Sequence, residues 1–217
     1  MGAGVLVLGH SGSGKSTSLR NFEPDEIGIF NVAGKPLPFR KKMKTLNGAR
    51  YGSIMQTLQA NNKLAYSVDD ANYLMAFENF AKAKHKGYDK FVDMAVSFER
   101  MLEQIAKTND DTIVYVMMHP DFDDAGNMKP KTIGKMLDNQ LTIEGMFPIV
   151  LVAYGDDTGY HFQTNDPTGI AKSPMEMFES DVIDNDLKAV DTAIRDYWGL
   201  RPLSTPAGKP EGGESDG

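Results

Sequence analysis

Gly9-His10-Ser11-Gly12-Ser13-Gly14-Lys15-Ser16-Thr17 sets a glycine, any four residues and then Gly-Lys-Ser in one run. That spacing suits a polyphosphate. Glycines let the backbone wrap closely around phosphate oxygens, with successive N–H groups turned inward as an anion nest. In this P-loop pattern Lys15 reaches the β- and γ-phosphates of a nucleotide and the Ser16 hydroxyl ligates Mg²⁺. ATP and Mg²⁺ are the expected cofactors. A second group of chemical residues closes the apolar run Leu64-Ala65-Tyr66-Ser67-Val68 with Asp69-Asp70. Asp69 is expected to hold Mg²⁺ directly or through water, and Asp70 to polarise an attacking water. The same pair would also serve simply to cap a helix beginning near Ala71. Neighbouring side chains of a strand point to opposite faces, so the two carboxylates have different jobs. His119, at the end of the run Thr112–Met118, is either a donor to the γ-phosphate region or a strand-end histidine satisfied by backbone.

Short apolar runs must position these groups. Val5–Leu8, Ile27–Val32, Leu64–Val68, Thr112–Met118 and Phe147–Tyr154 read as buried strands. A helix is expected after the P-loop through Leu19 and Phe22, its positive N-terminal end facing the phosphates. Phe91, Met94, Phe98, Met101, Leu102 and Ile105 recur at steps of three and four, which predicts a helix with one apolar face. Strands alternating with helices predict an α/β fold, a mostly parallel sheet flanked by helices. Gly155–Gly159 reads as a turn and Tyr160–Thr164 as the returning strand of an appended C-terminal β-hairpin. A last helix is expected from an N-cap at Asp184, with Leu187, Val190, Ile194 and Tyr197 buried. Residues 1–200 form one domain in this reading. Residues 201–217, almost without apolar side chains, read as a disordered tail. In P-loop proteins that hydrolyse ATP with an added catalytic acid, the strand ending at His119 lies between the P-loop strand and the acidic strand.

The segments Asn31–Phe39, Lys131–Lys135, Thr142–Gly145 and Lys172–Met175, taken with the P-loop, resemble phage-encoded RecA-like ATPases associated with single-strand annealing and homologous recombination. The resemblance runs from about Val5 to Trp198. It implies a RecA-like core, single-stranded DNA as ligand, and a homo-oligomer in the form of a ring or filament. A single-strand DNA-binding protein is a further partner it suggests. By position, the loop from Asp121 to Gly134 would contact DNA through Lys129, Lys131 and Lys135. Lys172 would reach a neighbouring subunit's ATP, with Arg195 a weaker candidate. The catalytic glutamate of RecA falls at Ala33. Either Asp70 takes over, or hydrolysis is slow, or ATP serves mainly as an assembly switch. Lys35–Lys44 carries five positive charges in ten residues, a solvated loop or a grip on DNA or on a neighbouring subunit.

Composition bounds these readings. The chain has 217 residues, 23 Lys+Arg against 30 Asp+Glu, a net charge of −7 and no cysteine. Disulfides, thiolate metal sites and a cysteine nucleophile are excluded. Net acidity argues against coating duplex DNA by bulk charge. No apolar stretch approaches the ~20 residues that span a bilayer, and the first residues do not read as a signal peptide. A cytoplasmic protein is expected, in the host cytoplasm if phage-encoded. Besides a DNA-stimulated ATPase, two alternatives fit the P-loop: a small nucleotide kinase, and an ATP-clamp accessory module such as a helicase loader. A kinase wants an arginine lid, and Arg40, Arg50, Arg100 and Arg195 are scattered.

Overall fold

The computed structural model describes residues 2–85, 87–134, 137 and 141–203. Ten strands and four helices succeed one another as β1 (Ala3–Leu8), β2 (Ile27–Asn31), β3 (Thr45–Asn47), α1 (Tyr51–Ala60), β4 (Ala65–Asp69), α2 (Asn72–Ala81), α3 (Asp89–Ala106), β5 (Ile113–Met118), β6 (Pro120–Phe122), β7 (Met128–Pro130), β8 (Ile149–Asp156), β9 (Gly159–Gln163), β10 (Val182–Asp184) and α4 (Leu187–Trp198) among the described residues. Eight strands make one sheet in the order β10-β9-β8-β1-β5-β4-β2-β3. From β8 to β3 every pairing is parallel, while β9 and β10 add antiparallel strands at the other edge.

Strand alternation divides the apolar residues between two faces. Leu6, Leu8, Phe30, Val68, Val116 and Met118 face α1, α2 and α3, where Ile54, Leu74, Phe98 and Met101 complete one core. Val5, Val7, Ile29, Tyr115, Met117 and Leu151 face the other way and pack on Leu19, Phe22, Leu187, Val190 and Ile194. Strands buried on both faces explain why the sequence shows continuous apolar runs rather than alternation. Among the described residues no helix is long and apolar enough to cross a membrane.

Several local expectations are corrected. The P-loop is followed by a 3₁₀ turn of only six residues, Ser16–Asn21, rather than an α-helix. Three hydroxyl residues open it, and Pro24 disfavours helical geometry at Glu23. Residues 120–130 form a two-stranded hairpin, β6 against β7, where a loop is expected. Asp186 rather than Asp184 caps α4, its carboxylate accepting from the backbone N–H groups of Lys188 and Ala189. Tyr197 is 44% exposed, and Trp198 takes the place in the apolar stripe. Residues Arg201–Leu203 are docked on the body, since Arg201 N–H donates to Asp111 and Leu203 packs on the α4-side core. Beyond residue 203 the expected tail lies outside the described residues.

Candidate functional site

The parallel register aligns the C-terminal ends of four strands on one rim. Leu8 of β1 pairs with Met118 of β5 and with Val152 of β8, and Val68 of β4 pairs with Val116 of β5. Gly9, His119 and Asp69-Asp70 therefore leave the sheet side by side, although more than 100 residues of chain separate the first two. β5 stands between β1 and the acidic strand β4.

At that rim, Gly12 and Gly14 adopt φ of +81° and +92°, values that side chains with a Cβ avoid. His10, Ser11 and Gly12 lie exposed on the loop, while Ser13 and Lys15 are buried and Ser16 and Thr17 half-buried. A Cβ on Gly9 would strike the Ser13 hydroxyl and the Ala153 carbonyl, so the first glycine is required by close packing. The Ser13 hydroxyl is itself buried and has no hydrogen-bond partner among the described residues. Lys15 lies back along the loop, its Nζ donating to the carbonyls of Gly9 at 2.5 Å and His10 at 2.9 Å. Burial lowers its pKa to about 8, with Asp70 and Asp69 opposing.

The Ser16 hydroxyl donates to Asp69 Oδ1 at 2.8 Å. Burial, reinforced by Asp70, raises the Asp69 pKa to about 6. A hydroxyl and a carboxylate already in contact are the hard-oxygen donors that Mg²⁺ takes. Among the described residues no group of three or more His, Cys, Asp or Glu could form a self-sufficient metal cage. A pair of protein donors is what fits a magnesium ion whose remaining positions go to phosphates and water. Ser16 and Asp69 would hold it, and a bound Mg²⁺ would neutralise charge on the phosphates.

Asp70 is buried and has φ of +59°, a left-handed conformation. Its Oδ2 receives Lys35 Nζ at 2.6 Å, and its Oδ1 lies 3.3 Å from His119 Nε2. Burial, with Lys15 nearby, lowers the His119 pKa and favours the neutral ring. The backbone N–H of His119 donates to Asn72 Oδ1 at 3.2 Å. The backbone of His119 is thus anchored, while its imidazole lies on the rim beside Asp70. Lys35 and Asn72 escaped the sequence reading. Lys35 follows β2 by four residues, and only the strand order shows that β2 ends on the same rim.

The remaining expected residues separate. The hairpin of β6 and β7 leans on the P-loop, with the Phe122 and His10 rings stacked at 6.1 Å between centroids. It carries Lys129, with Lys131 directly after it, but also Asp121, Asp123 and Asp124. Lys135 lies outside the described residues. Lys172 exchanges backbone hydrogen bonds with Val150, on the side of β8 away from β1, and lines a cleft of about 580 Å³ shared with Phe122 and Met128. Arg195 is 4% exposed and engaged by Asp191 and by the carbonyls of Leu64, Asp111 and Arg201, which removes it as a candidate for a neighbour's nucleotide. In the basic segment, Lys35, Lys41 and Lys44 pair with Asp70, Glu23 and Asp25.

A Gly-x₄-Gly-Lys-Ser loop on β1, with β5 inserted between it and an acidic strand, is consistent with a P-loop NTPase fold. No protein-family model matches the chain, and no curated protein does. Among solved structures it is similar to the X-ray structure of the Legionella pneumophila ATPase DotB, at 9% identity and a TM-score of 0.38, over 92% of this chain and 57% of that one. The chain thus spans a little over half of that neighbour's length. At this distance the likeness adds nothing to the strand order and the loop.

Proposed function

We propose that the chain is a Mg²⁺-dependent ATPase whose turnover is coupled to single-stranded DNA. One observation carries the ATPase part: Ser16 and Asp69, 53 residues apart, meet at 2.8 Å beside a lysine-bearing glycine loop. Lys15 binds the β- and γ-phosphates, Ser16 and Asp69 hold the cation, and Asp70 accepts from the attacking water. Ala33 provides no acid on the neighbouring strand end, so Asp70 is the carboxylate closest to hand.

The DNA part is supported by the resemblance to RecA-like recombination ATPases. It is also supported by the hairpin that follows β5, which rests on the P-loop through Phe122 and His10 and so can report the state of the loop. Self-assembly into a ring or filament belongs to the same proposal, with Lys172 offered to the next subunit. Three aspartates on the hairpin limit its attraction for phosphate. Lys129→Ala with Lys131→Ala is expected to weaken single-strand binding severalfold and to reduce its salt dependence by about one to two counterions. Unchanged binding in filter or anisotropy titrations places the DNA contact elsewhere.

Protonation sets a second expectation. Asp69 must be ionised to hold a cation, so Mg²⁺-nucleotide affinity falls by up to about tenfold per pH unit below about 6. Lys15 must be charged to attract phosphate, so affinity also declines above about pH 8. Calorimetric titrations across that range should show a maximum between the two values, and a flat profile contradicts these assignments.

The experiment for the whole proposal is phosphate release from ATP with Mg²⁺, alone, with a single-stranded oligonucleotide and with duplex. Stimulation by single strands alone is the expected result. Transfer of phosphate to a nucleoside monophosphate instead makes the protein a kinase, and binding without turnover makes it an ATP clamp.

A further inference from the structure

The rim holds a second cation that the P-loop motif does not contain. Lys35 is carried by a turn fixed to the end of β2: Asn31 Nδ2 donates to the Lys35 carbonyl at 2.6 Å, and Gly34 N–H donates to Asn31 Oδ1 at 2.9 Å. Asn31 is also braced by Asn47 of the neighbouring strand at 2.9 Å. The backbone of Lys35 is thus held by two strands while its side chain remains 62% exposed and reaches across to Asp70. Its ammonium group also lies over the Tyr73 ring, 5.8 Å from the centroid.

Asp70 is an unusual partner. Its backbone is left-handed, at φ of +59°, a region that few residues with a Cβ enter. Its carboxylate is 6% exposed and is held on one oxygen by Lys35 and approached on the other by His119. Lys15, Lys35, Asp69 and Asp70 act on one another electrostatically, which places Lys35 in the field of the phosphate loop rather than on a remote surface.

A triphosphate brings a terminal group with more negative charge than the single carboxylate that Lys35 now holds. Cations with an exposed, flexible head exchange partners readily, and a lysine does so as a point charge without a fixed geometry to satisfy. We propose that Lys35 distinguishes nucleoside triphosphate from diphosphate: it is held by Asp70 in the nucleotide-free chain and transfers to the terminal phosphate when a triphosphate binds. This rests on the P-loop site binding nucleotide as proposed above. Transfer also frees Asp70 and pulls on the turn at Gly34, so the segment 33–44 senses whether the third phosphate is present.

The test compares binding of ADP and of the non-hydrolysable β,γ-imido analogue of ATP, both with Mg²⁺, by calorimetry. Lys35→Ala is expected to weaken the triphosphate analogue by about 10- to 100-fold, the range for a hydrogen bond to a charged group, and to leave ADP affinity unchanged. Asp70→Asn removes the competing carboxylate and is expected to tighten the analogue more than it tightens ADP. The opposite signs separate exchange of partners from general damage, and Asp70→Asn keeps the test decisive if Lys35→Ala does not fold. Equal effects on both nucleotides, or none on the analogue, overturn the assignment of Lys35. A wild-type chain that binds neither nucleotide overturns the nucleotide site itself.

Discussion

Lys15→Ala protein is expected to be folded and to lose nucleotide binding and turnover by at least about 100-fold, the loss typical of deleting one charged donor to a phosphoryl oxyanion. The two halves of this expectation have one cause. Lys15 is buried, and its charge is disfavoured there: its pKa is pulled to about 8 by desolvation, more than the nearby aspartates restore. A lysine whose folded pKa lies below its unfolded value destabilises the fold at pH values below the folded pKa, and this cost is relieved as pH rises through the two. Removing it should therefore leave the thermal midpoint at neutral pH unchanged or raise it. The phosphates of a nucleotide would supply compensating charge beyond what the Gly9 and His10 carbonyls and the Asp69 and Asp70 carboxylates offer. Thermal melts with and without ATP and Mg²⁺ read both halves: the variant melts no lower than wild type alone and gains nothing from ligand. Wild-type turnover in Lys15→Ala removes the P-loop assignment.

The second large effect concerns stability and lies on the opposite side of the molecule from the phosphate rim. Asp191 and Arg195 are both almost fully buried, one turn apart on α4. Tyr115 of β5 donates its hydroxyl to Asp191 Oδ2 at 2.8 Å. Arg195 donates to the Leu64 and Asp111 carbonyls, each at 2.8 Å, just before β4 and β5 begin, and to the Arg201 carbonyl at 2.7 Å. One guanidinium thus ties the last helix to the two strands whose far ends bear Asp69 and His119. Arg195→Met leaves the buried Asp191 carboxylate without its cation and takes a donor from three carbonyls, of which Leu64 keeps the Ile113 N–H, and is expected to cost about 3–5 kcal/mol in urea unfolding. Changing Tyr115→Phe, Asp191→Leu and Arg195→Met together should recover part of that loss, because the uncompensated charge goes with its partner. An unchanged midpoint in the single variant contradicts the network.

These two sites show what a sequence of this kind discloses. The loop Gly9–Thr17 and the acids at Asp69-Asp70 stand out in the sequence because the chemistry proposed for them ties residue types to a few consecutive positions. The parallel core is legible because strands buried on both faces must be apolar throughout, as Val5–Leu8 and Ile113–Met118 are. The six-residue turn after the P-loop is harder, since a helix and a 3₁₀ turn begin with the same residues. Lys35, Asn72 and the Arg195 network are tertiary facts. In sequence, Lys35 is one of five cations in ten residues, and Arg195 is a charge on an amphipathic helix. Only the order of strands brings the first to Asp70, and only the packing of α4 buries the second. The hairpin over residues 120–130 is similar, because its two short strands pair only with each other and leave little periodicity to read.

The central claim is that Ser16 and Asp69 form a divalent-cation site completed by a nucleotide. Its most direct test is ATP affinity measured with Mg²⁺ and again with chelator, in wild type and in Asp69→Asn. Wild type should bind ATP more tightly with Mg²⁺, and Asp69→Asn should lose that increment while keeping the Mg²⁺-free affinity that Lys15 and the loop provide. An increment of equal size in both proteins would contradict the claim and move the cation away from Asp69.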